Sequence, residues 1–216
     1  DIIEIDPPYG IDLKKIKKEK GAKIGTKDYN EVHDKLYPQF IADVCKESYR
    51  VLKPNGWLIM WFGPDPWFDT MYKTIQNVGF QGNALPGIWL KENMSGQTMH
   101  PDIYLGNAYE MFFYARKGHP KLNKPGRSNV FTFRPVPPTN KVHPTERPIE
   151  MIQEVLSTFG HEGMTVMSPF LGSGNTLLAS VNNKMQAFGY DLSREYKTEF
   201  TLRVNVGKIG RYSSYQ

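Results

Sequence analysis

The chain has 216 residues, is 39% hydrophobic and 13% aromatic, and carries a formal net charge of +5, which suits one α/β domain or one domain with a smaller insert. Its longest unbroken apolar run, Trp57 to Phe62, is too short to span a bilayer, and no charged-then-apolar leader argues for secretion. A single cysteine, Cys45, excludes an internal disulfide and a thiolate metal site, so a reducing, cytoplasmic setting is expected.

In chain order, Ile2 to Ile5 reads as a short buried strand that runs into Asp6-Pro7-Pro8-Tyr9. Residues 10–33 are rich in lysine and glycine and lack periodicity, so they read as a long loop. A helix is expected over 37–52, with Phe40, Ile41, Val44, Cys45 and Leu52 on one face. Lys53-Pro54-Asn55-Gly56 stops it, and Trp57–Phe62 follows as a continuous buried strand. Pro66 to Val78 forms a second helix with Phe68, Met71, Tyr72 and Ile75 inward. Strands are expected at 85–91 and 110–115, and then a Pro-rich, basic, irregular segment over 116–147. From there helices and strands alternate: a helix marked by Ile149, Ile152, Leu156 and Phe159; a strand at 164–167; a tight turn at Gly172-Ser173-Gly174; a helix at 175–181; a strand at 187–190 ending in Asp191; and a last helix to about Val206, capped by Ser193. Such alternation predicts an α/β fold, a mostly parallel sheet with helices on both faces. The reading is one domain over 1–216, with 116–147 as an elaboration.

The charge is uneven. Residues 12–28 hold seven lysines against three acids, and residues 116–147 hold eight basic residues against Glu146. These two segments carry +4 and +7, so the rest of the chain is negative. A polyanion would be drawn to them and not to the whole surface; solvated lysine-rich loops are the plainer alternative.

Two stretches carry chemistry. "SPFLGSGNTLLAS" joins a buried strand to a helix, and the glycines at 172 and 174 let backbone approach a ligand beneath the helix N-terminus. Asp191 ends the next strand, at the spacing that puts a carboxylate on ribose hydroxyls in nucleotide-binding α/β folds. Leu177 stands where a third glycine would complete the dinucleotide pattern, so the turn by itself also reads as a plain tight turn. The second stretch is Asp6-Pro7-Pro8-Tyr9. Proline has no N–H and a fixed φ, so its carbonyl is a rigidly held acceptor. The Asp6 carboxylate and the Pro7 carbonyl, beside the Tyr9 ring, suit a planar heterocycle with an exocyclic amine. The plainer reading is a strand ended by a Pro-Pro turn with a packed tyrosine. The histidines have no ligand spacing, so no metal is expected.

Taken together, the chain resembles the amino-methyltransferases of DNA, of the permuted β group, which move a methyl group from S-adenosylmethionine to an exocyclic base nitrogen. The "DPPY" form is typical of the adenine-N6 enzymes. The catalytic motif comes first and "SPFLGSG" last, with "RVLKPNGWLIMWF", "GIWLKEN", "YEMFFYARKG" and "HPTERP" resembling the connecting motifs in order. The resemblance covers nearly the whole chain and implies a Rossmann-like S-adenosylmethionine-dependent methyltransferase fold. It departs at Ser168, where the family usually has Asp, and at Arg147, where Lys is common. The family's short acidic motif upstream of the first strand is missing, so a truncated start is expected.

The resemblance implies that Asp6, Pro7, Pro8 and Tyr9 are catalytic. Asp6, His143, Thr145, Arg147, Phe170, Gly172, Ser173, Gly174 and Asp191 would hold the cofactor, with His143, Thr145 and Arg147 at the methionine carboxylate. Lys14, Lys15, Lys17 and Lys18, with Lys121, Lys124, Arg127 and Arg134, are the candidates for nucleic-acid contact. The target base would be flipped out of the duplex. DNA is the expected partner and no membrane is expected. RNA adenine or cytosine-N4 methylation, a nucleic-acid-binding subunit with a degenerate cofactor site, and a homodimer or additional domain for target recognition stay open.

Overall fold

The computed structural model describes residues 1–10, 32–92, 98, 101–137, 141 and 146–205. Seven strands form one sheet in the order β5-β3-β4-β2-β1-β6-β7. They are β1 (Ile2–Ile5), β2 (Gly56–Phe62), β3 (Gly87–Lys91), β4 (Tyr109–Lys117), β5 (Val130–Phe133), β6 (Thr165–Ser168) and β7 (Gln186–Gly189). The helices are α1 (Tyr37–Val51), α2 (Pro64–Val78), α3 (Ile149–Phe159), α4 (Asn175–Asn182) and α5 (Arg194–Asn205). Only β4 runs antiparallel to its neighbours β2 and β3; every other pairing is parallel.

The central strands are buried on both faces, and their alternation divides the core in two. Trp57, Ile59 and Trp61 of β2 join Ile2 of β1 against α3 and α4. Leu58, Met60 and Phe62 join Ile3 and Ile5 against α1 and α2, where Tyr37, Ile41, Cys45, Met71 and Ile75 are buried. Burying each large side chain of these two layers is worth about 1.5–3 kcal/mol. By the same parity Glu4 lies on the Ile2 side, a carboxylate in an otherwise apolar strand. It is only 3% exposed.

The main departures from the sequence reading fall in two regions. Residues 116–147 are not irregular throughout: β4 runs on to Lys117, and Val130–Phe133 adds β5, pairing parallel with β3 from Ile88↔Val130 to Lys91↔Phe133. Phe131 anchors that strand, buried against Phe112 and under the Arg127 guanidinium 3.7 Å from its ring. The flanking prolines and basic residues hide so short an apolar alternation. Helix α2 includes Pro64, but Asp65 has φ −105° and ψ 121°. Regular helix therefore begins at Pro66, because the residue before a proline is driven out of the helical region. Among the described residues no helix is long and apolar enough to cross a membrane.

Candidate active site

Strands β1 and β6 lie side by side and parallel, yet α1 after β1 packs on one face of the sheet and α4 after β6 on the other. Diverging connections open a crevice at the carboxyl ends of the strands, the usual ligand position in such sheets. A cavity of about 610 Å³ occupies it, within the size range of small-molecule sites. Its wall takes Asp6 and Pro8 from the end of β1, Phe170 and Gly172 from the end of β6, and Asp191 from the end of β7.

The first strand end is held by one guanidinium. Arg147 Nη1 donates to Asp6 Oδ2, and Arg147 Nη2 donates to Asp6 Oδ1 at 3.0 Å and to the Tyr9 hydroxyl at 2.8 Å. Tyr9 in turn donates to Asp6 Oδ1 at 3.1 Å. Glu110 of β4 lies 3.0 Å from Arg147 Nη2, and the Trp61 ring lies beneath the guanidinium, 4.1 Å from its carbon. Burial works against the Arg147 charge, but Asp6, Tyr9 and Glu110 outweigh it and hold the group protonated well above its ordinary range. Burial, with the charges of Asp6 and Glu110, raises the Tyr9 phenol well above its usual value, so it stays a hydroxyl. Arg147 also lines the cavity. Its two terminal nitrogens engage Asp6 and Tyr9 at the end of β1, whereas the resemblance expects it at a methionine carboxylate.

Beneath this lies Glu4. Its Oε1 accepts from Trp61 Nε1 at 2.8 Å, and its Oε2 accepts from Thr176 Oγ1 at 3.0 Å and Ser168 Oγ at 3.2 Å. Ser168 is 1% exposed, so the hydroxyl where the resemblance expects an acid points into a carboxylate from the neighbouring strand.

The glycine turn is built on positive φ: 53° at Gly172 and 83° at Gly174. A Cβ on Gly174 would stand 2.1 Å from the Phe200 ring of α5, so that helix seals the back of the turn. Asp191 holds its front, accepting from Gly172 N–H and from Ser193 N–H, each at 2.8 Å. Asn175, the first residue of α4, donates to the Arg147 carbonyl at 2.7 Å and to Glu146 Oε1 at 2.9 Å. One side-chain amide thus ties the turn to the Arg147 segment.

The structure brings Asp6, Pro8, Arg147, Phe170, Gly172, Ser173 and Asp191 to one cavity. His143, Thr145, Lys14, Lys15, Lys17 and Lys18 lie outside the described residues. The basic middle segment is less free than its charge suggests. Lys124 and Arg127 both bind Glu154 of α3, at 2.6 and 2.8 Å, and Arg134 binds Glu92 at 3.1 Å. Lys117 Nζ donates to the Tyr49 and Leu52 carbonyls at the end of α1. Lys121 stays exposed. Sequence reasoning missed Glu4, Glu110 and Asn175. The one available signal was Glu4 itself, a charge inside a strand whose other residues are all isoleucine.

The fold is that of the Rossmann-like, S-adenosylmethionine-dependent methyltransferases. Within it, residues 1–202 match the N6/N4 DNA methylase family, and the chain belongs to that family. It is 26% identical over 196 residues to the putative methylase YubD of Escherichia coli K12, covering 91% of this chain and 78% of that protein. It is 28% identical over 216 residues to the type II methyltransferase M.HpaI of Haemophilus parainfluenzae, covering 91% of this chain but only 65% of M.HpaI. Among solved structures, the M1.HpyAVI–SAM complex matches with a TM-score of 0.69 at 22% identity, over 95% of this chain and 88% of that one. The cytosine-N4-specific PvuII DNA methyltransferase matches with a TM-score of 0.71 at 16% identity, over 94% and 78%.

Proposed function

We propose that this chain is a DNA adenine-N6 methyltransferase that uses S-adenosylmethionine and acts on a base flipped into the crevice. The observation that carries the reading is that Asp6 and Pro8 of the Asp6-Pro7-Pro8-Tyr9 turn line the same cavity as Gly172, Ser173 and Asp191. The residues fit the cofactor: carboxylates for its cationic groups, Phe170 as an apolar wall, and Asp191 at the expected ribose position. When bound, S-adenosylmethionine supplies an electrophilic methyl group on a sulfonium.

The exocyclic amine of adenine is a poor nucleophile because its lone pair is delocalised into the ring. Asp6 and the Pro7 carbonyl accept its two N–H bonds and favour a pyramidal nitrogen. Asp6 Oδ1 has both lone pairs filled, by Arg147 and Tyr9, whereas among the described residues Oδ2 accepts from Arg147 alone. Oδ2 therefore keeps one acceptor site for the amine. Methyl transfer would place positive charge on the nitrogen, discharged when one of its N–H protons is released to solvent. The amine's hydrogen bonds to Asp6 strengthen as that charge grows, which lowers the barrier and not merely the ground state. The Tyr9 ring stacks on the base while its hydroxyl stays tied to Asp6 and Arg147. Cys45 is buried in the α1 core and takes no part, in keeping with direct transfer.

The test is incubation of the protein with S-adenosylmethionine and mixed-sequence DNA, then digestion to nucleosides and mass spectrometry. N6-methyladenine is the expected product. N4-methylcytosine would overturn the choice of base, methylation of RNA alone would overturn the choice of polymer, and no product would overturn the enzymatic reading.

A further inference from the structure

Four carboxylates line the cavity, and three have partners that account for them. Asp6 is paired with Arg147. Glu146 is paired with Arg203 at 3.4 Å. Asp191 holds two backbone N–H groups at the rim and is exposed. Glu4 differs. It is 3% exposed and its bonded neighbours are all neutral: the Trp61 indole and the Ser168 and Thr176 hydroxyls. A buried carboxylate without a bonded cation is costly, because neutral donors replace only part of its lost hydration. Among the described residues, Glu4 is the one cavity carboxylate in that condition.

We propose that Glu4 is the acceptor for the α-ammonium group of S-adenosylmethionine. The acceptor count selects the ammonium over the sulfonium. Glu4 Oε2 is filled by two hydroxyls, but among the described residues Oε1 accepts only from Trp61, leaving one site for an N–H donor. An ammonium has such donors; a sulfonium has none. Ser168 Oγ lies 3.2 Å from Glu4 Oε2, so a carboxylate built on either strand would occupy nearly the same volume. Burial first, and then the charge of Asp6, raise the Glu4 pKa above the ordinary carboxylate value, outweighing the opposing charge of Arg147, which makes no hydrogen bond to it. A cation arriving at Oε1 relieves that unfavourable ionisation.

The inference rests on the cofactor reading above but not on the choice of base, so its test is binding and not turnover. Calorimetry would compare the wild-type chain with Glu4→Gln for three ligands: S-adenosylmethionine; S-adenosylhomocysteine, which keeps the ammonium and loses the sulfonium; and 5′-methylthioadenosine, which has no ammonium. One charge-assisted hydrogen bond corresponds to roughly ten- to hundredfold in affinity. Glu4→Gln should weaken the first two ligands by that factor and leave the third within a fewfold. Glu4→Gln/Ser168→Asp should regain most of the loss. Selective loss of S-adenosylmethionine alone would place the sulfonium at Glu4 and overturn the assignment. Equal loss of all three, no loss, or a double variant no tighter than the single would overturn it too. Failure of the wild-type chain to bind S-adenosylmethionine would instead remove the cofactor reading, and this inference with it.

Discussion

Arg147 grips Asp6 with both terminal nitrogens across 141 positions of sequence, and the same guanidinium holds the Tyr9 hydroxyl and Glu110. The expected amine acceptor is thus preset by a cation with 5% side-chain exposure. This makes Asp6→Ala a poor test, since it leaves that cation short of a partner and should cost about 1–3 kcal/mol of stability. Asp6→Asn keeps the shape and two acceptor lone pairs. It should lower methyl transfer by at least a hundredfold, roughly the scale of losing one preorganised electrostatic contact, with a urea midpoint above that of Asp6→Ala because one of the two Arg147 bonds survives. Transfer near the wild-type rate by Asp6→Asn would remove the carboxylate from the mechanism.

Tyr9 has two separable parts. The ring should stack on the target base, worth about 1–3 kcal/mol, while the hydroxyl bridges Asp6 and Arg147, worth about 1 kcal/mol net. Tyr9→Phe should therefore lower kcat modestly and keep DNA affinity, whereas Tyr9→Ala should lose both. Equal damage from the two variants would show that the hydroxyl, and not the ring, carries the role.

Charge in the basic middle segment should divide by partner. Lys121 is exposed, and Lys121→Ala should reduce the slope of log affinity for DNA against log salt by about one. Lys124 is ion-paired with Glu154. As that pair is partly solvated, Lys124→Ala should cost under about 1 kcal/mol of stability and leave the salt slope unchanged. A Lys124→Ala slope change as large as that of Lys121→Ala would mean that the Glu154 pair opens on DNA.

Cys45 is 0% exposed and its thiol is pushed up to about 12 by burial. A thiol reagent at pH 8 should label it roughly a thousandfold more slowly than a free thiol, from the ionised fraction alone, and faster still only through unfolding. Labelling rates that follow urea-induced unfolding would agree; fast labelling of the folded chain would contradict the packing of α1.

Much of the scaffold is legible from the residues. The two-faced burial of Ile2–Ile5 and Trp57–Phe62, the apolar stripes of α1 and α3, and the glycine turn before α4 are local patterns with local causes. Strand β5 was not, because four residues among prolines carry too little periodicity and its pairing with β3 is made across the chain. Nor were the partners of the basic residues: Glu154 lies 27 positions beyond Arg127, and nothing in either stretch announces the bond.

The site divides in the same way. Asp6-Pro7-Pro8-Tyr9, Gly172-Ser173-Gly174 and Asp191 are visible in the sequence because rigid acceptors, small residues and strand-end acids are needed wherever such chemistry occurs, whatever surrounds them. Two matters awaited the tertiary structure: that Arg147 and Glu110 preset Asp6, and that Glu4 meets Ser168 across two adjacent strands. Both depend on sheet register and on which face a side chain takes. Those are decided when strands far apart in sequence bury their apolar faces together, and only then do a serine and a glutamate 164 positions apart come within 3.2 Å.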